Sequence, residues 1–229
     1  SAEKVQHDPK KQIINYNNAI LKLYDIPVMY FPKFFHPDPT VKRQSGFLIP
    51  SVATSATSGN SIKLPYFNAV ADNKDFTVTP RIYFNNDILI QNEYRQVEKN
   101  LSHISDFSIK KLDTGSKSHF FSNSKIDLTL NNFDASELEI NLEKTSNDTY
   151  LKSEKISNSI QSNASLLNSF VKYEAFTEDL DLSIEVAAYE DLTKEKNSDK
   201  YQFILPSFKI SKIFLPFADR IGNLKYTAS

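Results

Sequence analysis

The chain has 229 residues, room for one large all-β unit or two ordinary domains, and its 27 basic and 28 acidic side chains leave a formal charge of −1. That balance lacks the basic excess that releases counterions from nucleic acid, so no nucleic-acid partner is expected. There is no Cys, which excludes disulfide and thiol chemistry here, and no run reaches the roughly 20 apolar residues of a membrane-spanning helix. Seventeen Phe and eleven Tyr, with abundant Ile, Val and Thr, favour strands over helices.

Ser1 to Lys11 read as a polar start without the apolar core of a signal peptide. A short extended run, Ile13 to Tyr16, follows. Then comes the apolar and aromatic stretch Ala19 to Phe35, in a region punctuated by Pro27, Pro32, Pro37 and Pro39. Proline at that density forbids a helix and argues against a central strand, so an extended segment or edge strand is predicted.

From Ser45 onward the texture changes to segments about ten residues long, separated by polar turn clusters. Phe76, Val78, Pro80, Ile82 and Phe84 fall on one face, with Thr77, Thr79, Arg81 and Tyr83 on the other. Ile126, Leu128 and Leu130 oppose Lys125, Asp127 and Thr129. Leu138, Ile140 and Leu142 oppose Glu137, Glu139, Asn141 and Glu143, and Leu180, Leu182, Ile184 and Val186 oppose Asp181, Ser183 and Glu185. Period two in four separate segments predicts strands with one apolar and one wet face. Strands are expected near 45–56, 60–69, 75–85, 87–97, 103–112, 118–131, 136–145, 167–176, 179–190 and 201–212. Strict up-and-down order puts the long polar connections 145–166 and 191–200 on the same rim as the turns at Gly59 and Gly115. Short turns on one rim and long loops on the other are the asymmetry of bacterial outer-membrane barrels. A soluble β-sandwich also alternates, but its strands average about six residues.

Catalytic patterns are missing: no GxSxG, P-loop, GxGxxG, HExxH or CxxC occurs. His36-Pro37-Asp38 could be read as half a metal site, yet no third ligand stands at a convincing spacing, and a rigid polar loop is the better reading. Glu137, Glu139 and Glu143 could supply paired acids for glycoside hydrolysis, but adjacent carboxylates on one strand face ordinarily form a solvated face. No enzyme activity and no cofactor are expected. Pro50 and Pro65 are more informative. Each removes an amide donor from an otherwise good strand. Such prolines either protect an edge from aggregation or weaken a seam in a closed wall so that it can part sideways.

The run Tyr30-Phe31-Pro32-Lys33-Phe34-Phe35-His36-Pro37-Asp38-Pro39, followed by Arg43-Gln44-Ser45-Gly46-Phe47-Leu48-Ile49-Pro50-Ser51, resembles the junction of the LPS-assembly protein LptD family. There a periplasmic β-jelly roll hands over to a very large barrel. Leu64-Pro65-Tyr66-Phe67 and Asp75 to Arg81 are similar to the family's second and third barrel strands. The resemblance is recognisable from residue 12 to about 97 and general beyond, with Leu205-Pro206-Ser207-Phe208 a weaker landmark. Lys33 stands where the family pattern leads one to expect Tyr.

The resemblance implies an all-β fold: part of an antiparallel transmembrane β-barrel of about ten strands at 45–229, preceded at 1–44 by the end of a periplasmic β-jelly roll and the junction. It implies lipopolysaccharide transport and insertion into the outer leaflet of the cell outer membrane through a lateral opening. The N-terminal segment would lie in the periplasm. Expected partners are lipopolysaccharide, outer-membrane lipid, a plug lipoprotein in the lumen and a periplasmic bridge protein. Pro50 and Pro65 match the lateral-gate prolines by position, and Pro32, Pro37, Pro39, Arg43, Gly46 and Phe47 make up the junction motif. On this reading the chain is a fragment, without the strand that closes the barrel. A general porin or receptor barrel is the nearest alternative, and a soluble carbohydrate-binding β-sandwich the more distant one.

Overall fold

The computed structural model describes residues 1–10, 13–23, 25–38, 43–55, 58–112, 115–214 and 224–228. Almost every element is an antiparallel strand, and the strands form two sheets.

The first sheet holds β1 (Ala2–Asp8), β2 (Ile13–Leu23) and β3 (Ile26–Pro37) in the order β1-β2-β3. The polar start is therefore a strand, not an irregular lead-in. Its alternation is invisible in sequence because its side chains, mostly polar, are largely exposed on both faces. Pro27, Pro32 and Pro37 lie in β3, the strand at the end of this sheet, where proline is tolerated better than in a central strand. The edge-strand expectation thus holds, as one strand of a regular β2–β3 ladder whose register shifts only at Leu21/Lys22.

The second sheet has thirteen strands. It starts with four short ones, β4 (Gly46–Phe47), β5 (Ser51–Ser55), β6 (Gly59–Lys63) and β7 (Tyr66–Ala71). Long strands follow: β8 (Lys74–Tyr83), β9 (Ile88–Glu98), β10 (Leu101–Leu112), β11 (Gly115–Asp127), β12 (Ala135–Thr145), β13 (Leu166–Phe176), β14 (Leu180–Asp191) and β15 (Tyr201–Phe214). A short β16 (Leu224–Ala228) ends it. From β8 onward each strand pairs with its sequence neighbours, while β6 and β7 share β8 between them. Ten of the strand positions match the sequence periodicity. The number is higher because the first two staves are each broken in two and β16 adds one more. The apolar run through Leu128 and Leu130 leaves the ladder at Asp127, earlier than its alternation implies. The sheet does not close on itself among the described residues: β5 lies at one end and β16 at the other.

From β8 to β15 the strands are 10 to 14 residues long, and about 9–11 tilted residues suffice to cross the apolar layer of a bilayer. One face is apolar and bare: Ile82, Ile90, Phe107, Ile109, Phe120, Leu142, Val171 and Val186 are all exposed. The other face carries Arg81, Asp106, Ser108, Lys110, His119, Asn141 and Glu143, all buried. An inverted pattern of this kind, grease outside and polar groups inside, is what a lipid-facing wall requires. The small apolar core sits on the polar side. There Tyr150 and Leu151 of α1 (Tyr150–Ser153) join Tyr83, Leu89, Phe121, Leu167 and Leu192, with Ile156 and Ile160 packed against them.

Candidate functional site

The first two staves break where their prolines fall. Gly46 pairs with Phe67 and Phe47 with Tyr66, and the ladder resumes at Ser51 and Lys63. Residues 48–50 therefore oppose only residues 64–65, an offset of one residue that bends the leading stave. Across the break the Leu48 amide donates to the Pro65 carbonyl at 2.8 Å, and the Leu64 amide to the Pro80 carbonyl at 3.0 Å. In an antiparallel ladder such facing residues exchange two bonds. Pro65 and Pro80 have no amide to return, so each pair keeps one. Pro80 is the member the sequence did not single out: it looked like an ordinary apolar position of a good strand.

The junction residues divide into those with a visible task and those without. Arg43 donates to the Asp72 carbonyl and to the Asp75 carboxylate, which also accepts from Arg95 Nε at 2.8 Å. Arg43 thereby fastens the connection between the two sheets to the β7–β8 turn. The Phe47 and Tyr66 rings meet edge-on at 5.1 Å. A Cβ on Gly46 would meet nothing within 4 Å, so space does not explain that glycine. Pro32 lies within β3 and Pro37 at its end. Pro39 lies outside the described residues. Asp38, half of the imagined metal pair, meets His7 of β1 at 2.5 Å.

Between the first sheet and the broken staves lies an apolar cavity of about 850 Å³. Tyr16, Phe31 and Phe34 line it from the first sheet, and Phe47, Ile49 and Leu64 from the staves. Ile49 is 87 % exposed at its mouth, beside Pro50. The opening is greasy on both walls and ends at the point where the ladder is thinnest.

The opposite rim is closed by the connection 146–165. Its Glu154 is buried and accepts from Lys110 Nζ at 3.0 Å, from Ser58 Oγ at 2.7 Å and from the Tyr83 hydroxyl, while the Glu154 carbonyl accepts from Arg81. Burial alone would raise the Glu154 pKa, but hydrogen bonds from Tyr83, Ser58 and Lys110 outweigh it and hold the carboxyl below its ordinary value. Lys155 Nζ donates to the Thr54 carbonyl at 2.8 Å, and Ser55 Oγ to the Ser153 carbonyl at 2.9 Å. The second long connection is tied in through Lys200, 2.7 Å from Asp148 and 3.2 Å from Glu190.

Next to this lock Ser108 Oγ lies 2.7 Å from His119 Nδ1, and His119 Nε2 lies 2.6 Å from Asp106. Ser, His and Asp are linked in series as in a serine nucleophile relay, but through the opposite ring nitrogens. Here, however, Ser108 Oγ also meets the Tyr150 hydroxyl at 2.6 Å, and all three relay residues are at most 3 % exposed. The chain of bonds holds the connection against β10 and β11. Burial pushes the Tyr150 hydroxyl up to about 12. Sequence reasoning missed this cluster because its members stand far apart, although Arg81, Lys110 and His119 all lie on polar strand faces.

The fold and this rim define a class: an antiparallel wall of barrel-type strands, apolar outside and polar inside, with a greasy cavity at its leading edge. Comparison with known proteins gives its relatives. The chain is 36 % identical over 94 residues to the LPS-assembly protein LptD of Shewanella oneidensis, 41 % of this chain and 12 % of that protein. It is 40 % identical over 78 residues to that of Ectopseudomonas mendocina, 34 % of this chain and 8 % of that one. Over 100 residues it is 27 % identical to that of Nitrosomonas eutropha, 44 % of this chain and 14 % of that one. No family model matches. The matched stretch of this chain is thus similar to the LPS-assembly protein LptD, and the matches cover only 8 % to 14 % of these relatives' length.

Proposed function

We propose that the chain is the leading part of an outer-membrane barrel that passes lipopolysaccharide sideways into the outer leaflet. Residues 1–44 would be the end of a periplasmic domain, and 45–229 the first staves of the wall. The observation that carries this reading is the apolar cavity that starts under the first sheet and ends at the half-paired staves around Pro50 and Pro65. An amphiphile with several acyl chains needs an apolar slot continuous with the bilayer, while its sugars need a polar lumen. The two faces of this wall supply both. The relatives' role, LPS assembly, agrees with that substrate and with work done by transport rather than bond chemistry. A lumen plug lipoprotein would meet the polar face, and a periplasmic bridge protein would add to the first sheet.

Site-specific photo-crosslinking tests the reading. A photoreactive residue at Phe31, Ile49 or Leu64 in the full-length protein should capture lipopolysaccharide in living cells. One at Phe120, on the bare face far from the cavity, should capture phospholipid alone. Equal capture at all four positions would point to a wall that merely sits in lipid, as a general porin does.

A further inference from the structure

The unusual feature of this sheet is that its leading corner is weakly attached along one line and strongly attached at one point. β5 and β6 form a short hairpin whose turn-side glycine, Gly59, takes φ +78°. On its far side the hairpin pairs, among the described residues, with β8 alone, through Ser61–Tyr83, Ile62–Ile82 and Lys63–Arg81, with two further bonds, Phe84 amide to Asn60 carbonyl at 3.1 Å and Arg81 Nε to Ser61 Oγ at 2.8 Å. At its base the chain passes through Pro50 on one stave and Pro65 on the other. The half-pair Leu48–Pro65 lies between the staves, and the half-pair Leu64–Pro80 joins the second stave to β8. The prolines stand fifteen residues apart in sequence and side by side across three strands. A line of missing amides across adjacent strands is a hinge, because bending there breaks fewer bonds than bending anywhere else in the ladder.

The hairpin is held down by more than its own ladder. The connection 146–165 reaches across from β12 and grips it at three places: Thr54 through Lys155, Ser55 through the Ser153 carbonyl, and Ser58 through Glu154. The same Glu154 is bound to β8 through Tyr83 and to β10 through Lys110. Glu154 is thus the node at which the hairpin, β8 and β10 are joined.

We propose that β5–β6 is a flap, hinged on the row Pro50, Pro65 and Pro80 and latched by Glu154 of the 146–165 connection. When the latch is made, the leading edge of the wall is fixed. When it is released, the outer halves of the first two staves swing together while β4 and β7 stay with the junction. Glu154 is a positioning residue in this scheme: it touches no substrate and acts by deciding where the hairpin stands. The consequence for transport rests on the proposed function, but the motion itself does not.

The test uses the full-length protein in detergent with pairs of spin labels. Val52 on β5 and Ile109 on β10 are exposed on the outer face and report the flap, and Ile88 on β9 with Val171 on β13 report the body of the sheet. The unaltered protein should give one narrow distance for each pair. Glu154→Gln should broaden and lengthen the Val52–Ile109 distance by several ångströms and leave Ile88–Val171 unchanged. Ser58→Ala, which removes one hydroxyl shared between Glu154 and the Ser153 carbonyl, should do the same to a smaller extent and serves if the first variant fails to assemble. Pro80→Ala restores an amide opposite Leu64 and should narrow the flap distance again in the Glu154→Gln background. An unchanged flap distance in both latch variants, or equal broadening of both pairs, would overturn the proposal, and no response to Pro80→Ala would overturn the hinge. Separately, cross-linking Ser55→Cys to Ser153→Cys should stop lipopolysaccharide delivery. If the labels show a working flap and the cross-linked protein still delivers, the transport reading fails and the flap stands.

Discussion

Lys110 Nζ lies 3.0 Å from Glu154 Oε1, and the two residues, one on a strand and one on a long connection, are both buried. Lys110 also stands 3.3 Å from Asp87 and 4.2 Å from the centroid of the Tyr83 ring. A charge taken so far out of water is tolerable only because each partner neutralises the other. Removing one leaves the other stranded, at a cost of about 3–5 kcal/mol, while removing both in favour of apolar groups can be neutral. Lys110→Met should therefore loosen the 146–165 connection strongly. Lys110→Met combined with Glu154→Leu should recover most of the loss. Urea unfolding of the detergent-solubilised protein, followed by protease cleavage within 146–165, checks both. Additive losses would show that the two residues do not act as a pair.

The same connection should be held within a pH window. Glu154 is faced by Tyr83 and Arg81 of β8, by Lys110 of β10 and by Ser58, with Asp87 as the second partner of Lys110. Its folded pKa lies below the ordinary 4.5, so its contribution to docking is complete above about 4.5 and is lost as pH falls through the lower folded value. Tyr150 is faced by Ser108 and Asp106 of β10 and by His119 of β11. Its pKa is raised from 10.0 to about 12, so its contribution is complete below 10 and is lost as pH rises through about 12. Hydrogen exchange across 146–165 should be slow between those limits and accelerate outside them, with Glu154→Gln abolishing the acid edge only.

Arg43 gives a third expectation. Its guanidinium spans the Asp72 carbonyl and the Asp75 carboxylate, and Arg95 keeps Asp75 paired when Arg43 is gone. The cost of Arg43→Ala is accordingly that of lost charge-assisted bonds, about 1.5–3 kcal/mol, not that of an orphaned charge. Arg43→Lys should recover little, because an ammonium cannot match a planar fork holding two acceptors. Proteolysis of the connection near residues 39–45 should accelerate in both variants, while the β10–β12 amides exchange as before.

The strand wall was legible because period two is a hard geometric rule. Glu137, Glu139 and Glu143 alternate with Leu138, Ile140 and Leu142, and a ladder can satisfy both sets only by placing them on opposite faces. The leading prolines were legible too, since a missing amide is written in the residue itself. What stayed hidden was tertiary. The connection 146–165 reads as a polar loop rich in Ser, Asn and Lys, and only Tyr150-Leu151, Ile156 and Ile160 hint that it is buried. Its partners Arg81, Lys110 and His119 look like any wet strand face until the loop comes down on them. β1 escaped because an exposed strand shows no alternation. Pro80 escaped because its importance lies in which neighbour faces it, a matter of register that no single segment reveals.

The staves themselves allow a separation of the translocon reading from the porin one. Pro65→Ala supplies an amide that can return the bond to Leu48, adding about 0.5–1.5 kcal/mol to the pairing of the first two staves. Pro50→Ala releases the fixed φ at the bend, where residues 48–50 oppose 64–65, so the leading stave can straighten toward continuous pairing. If the wall opens between these staves and the strand that closes it, both variants should slow lipopolysaccharide delivery, and the double variant more than either. The outer leaflet would then be filled with phospholipid, and cells should become sensitive to large or hydrophobic antibiotics that intact lipopolysaccharide excludes. A diffusion pore conducts through its lumen without parting these staves, so its permeability to small solutes would be unchanged and the surface would stay normal. Antibiotic susceptibility measured beside surface lipopolysaccharide labelling distinguishes the two, and normal values for the double variant would remove the lateral opening from consideration.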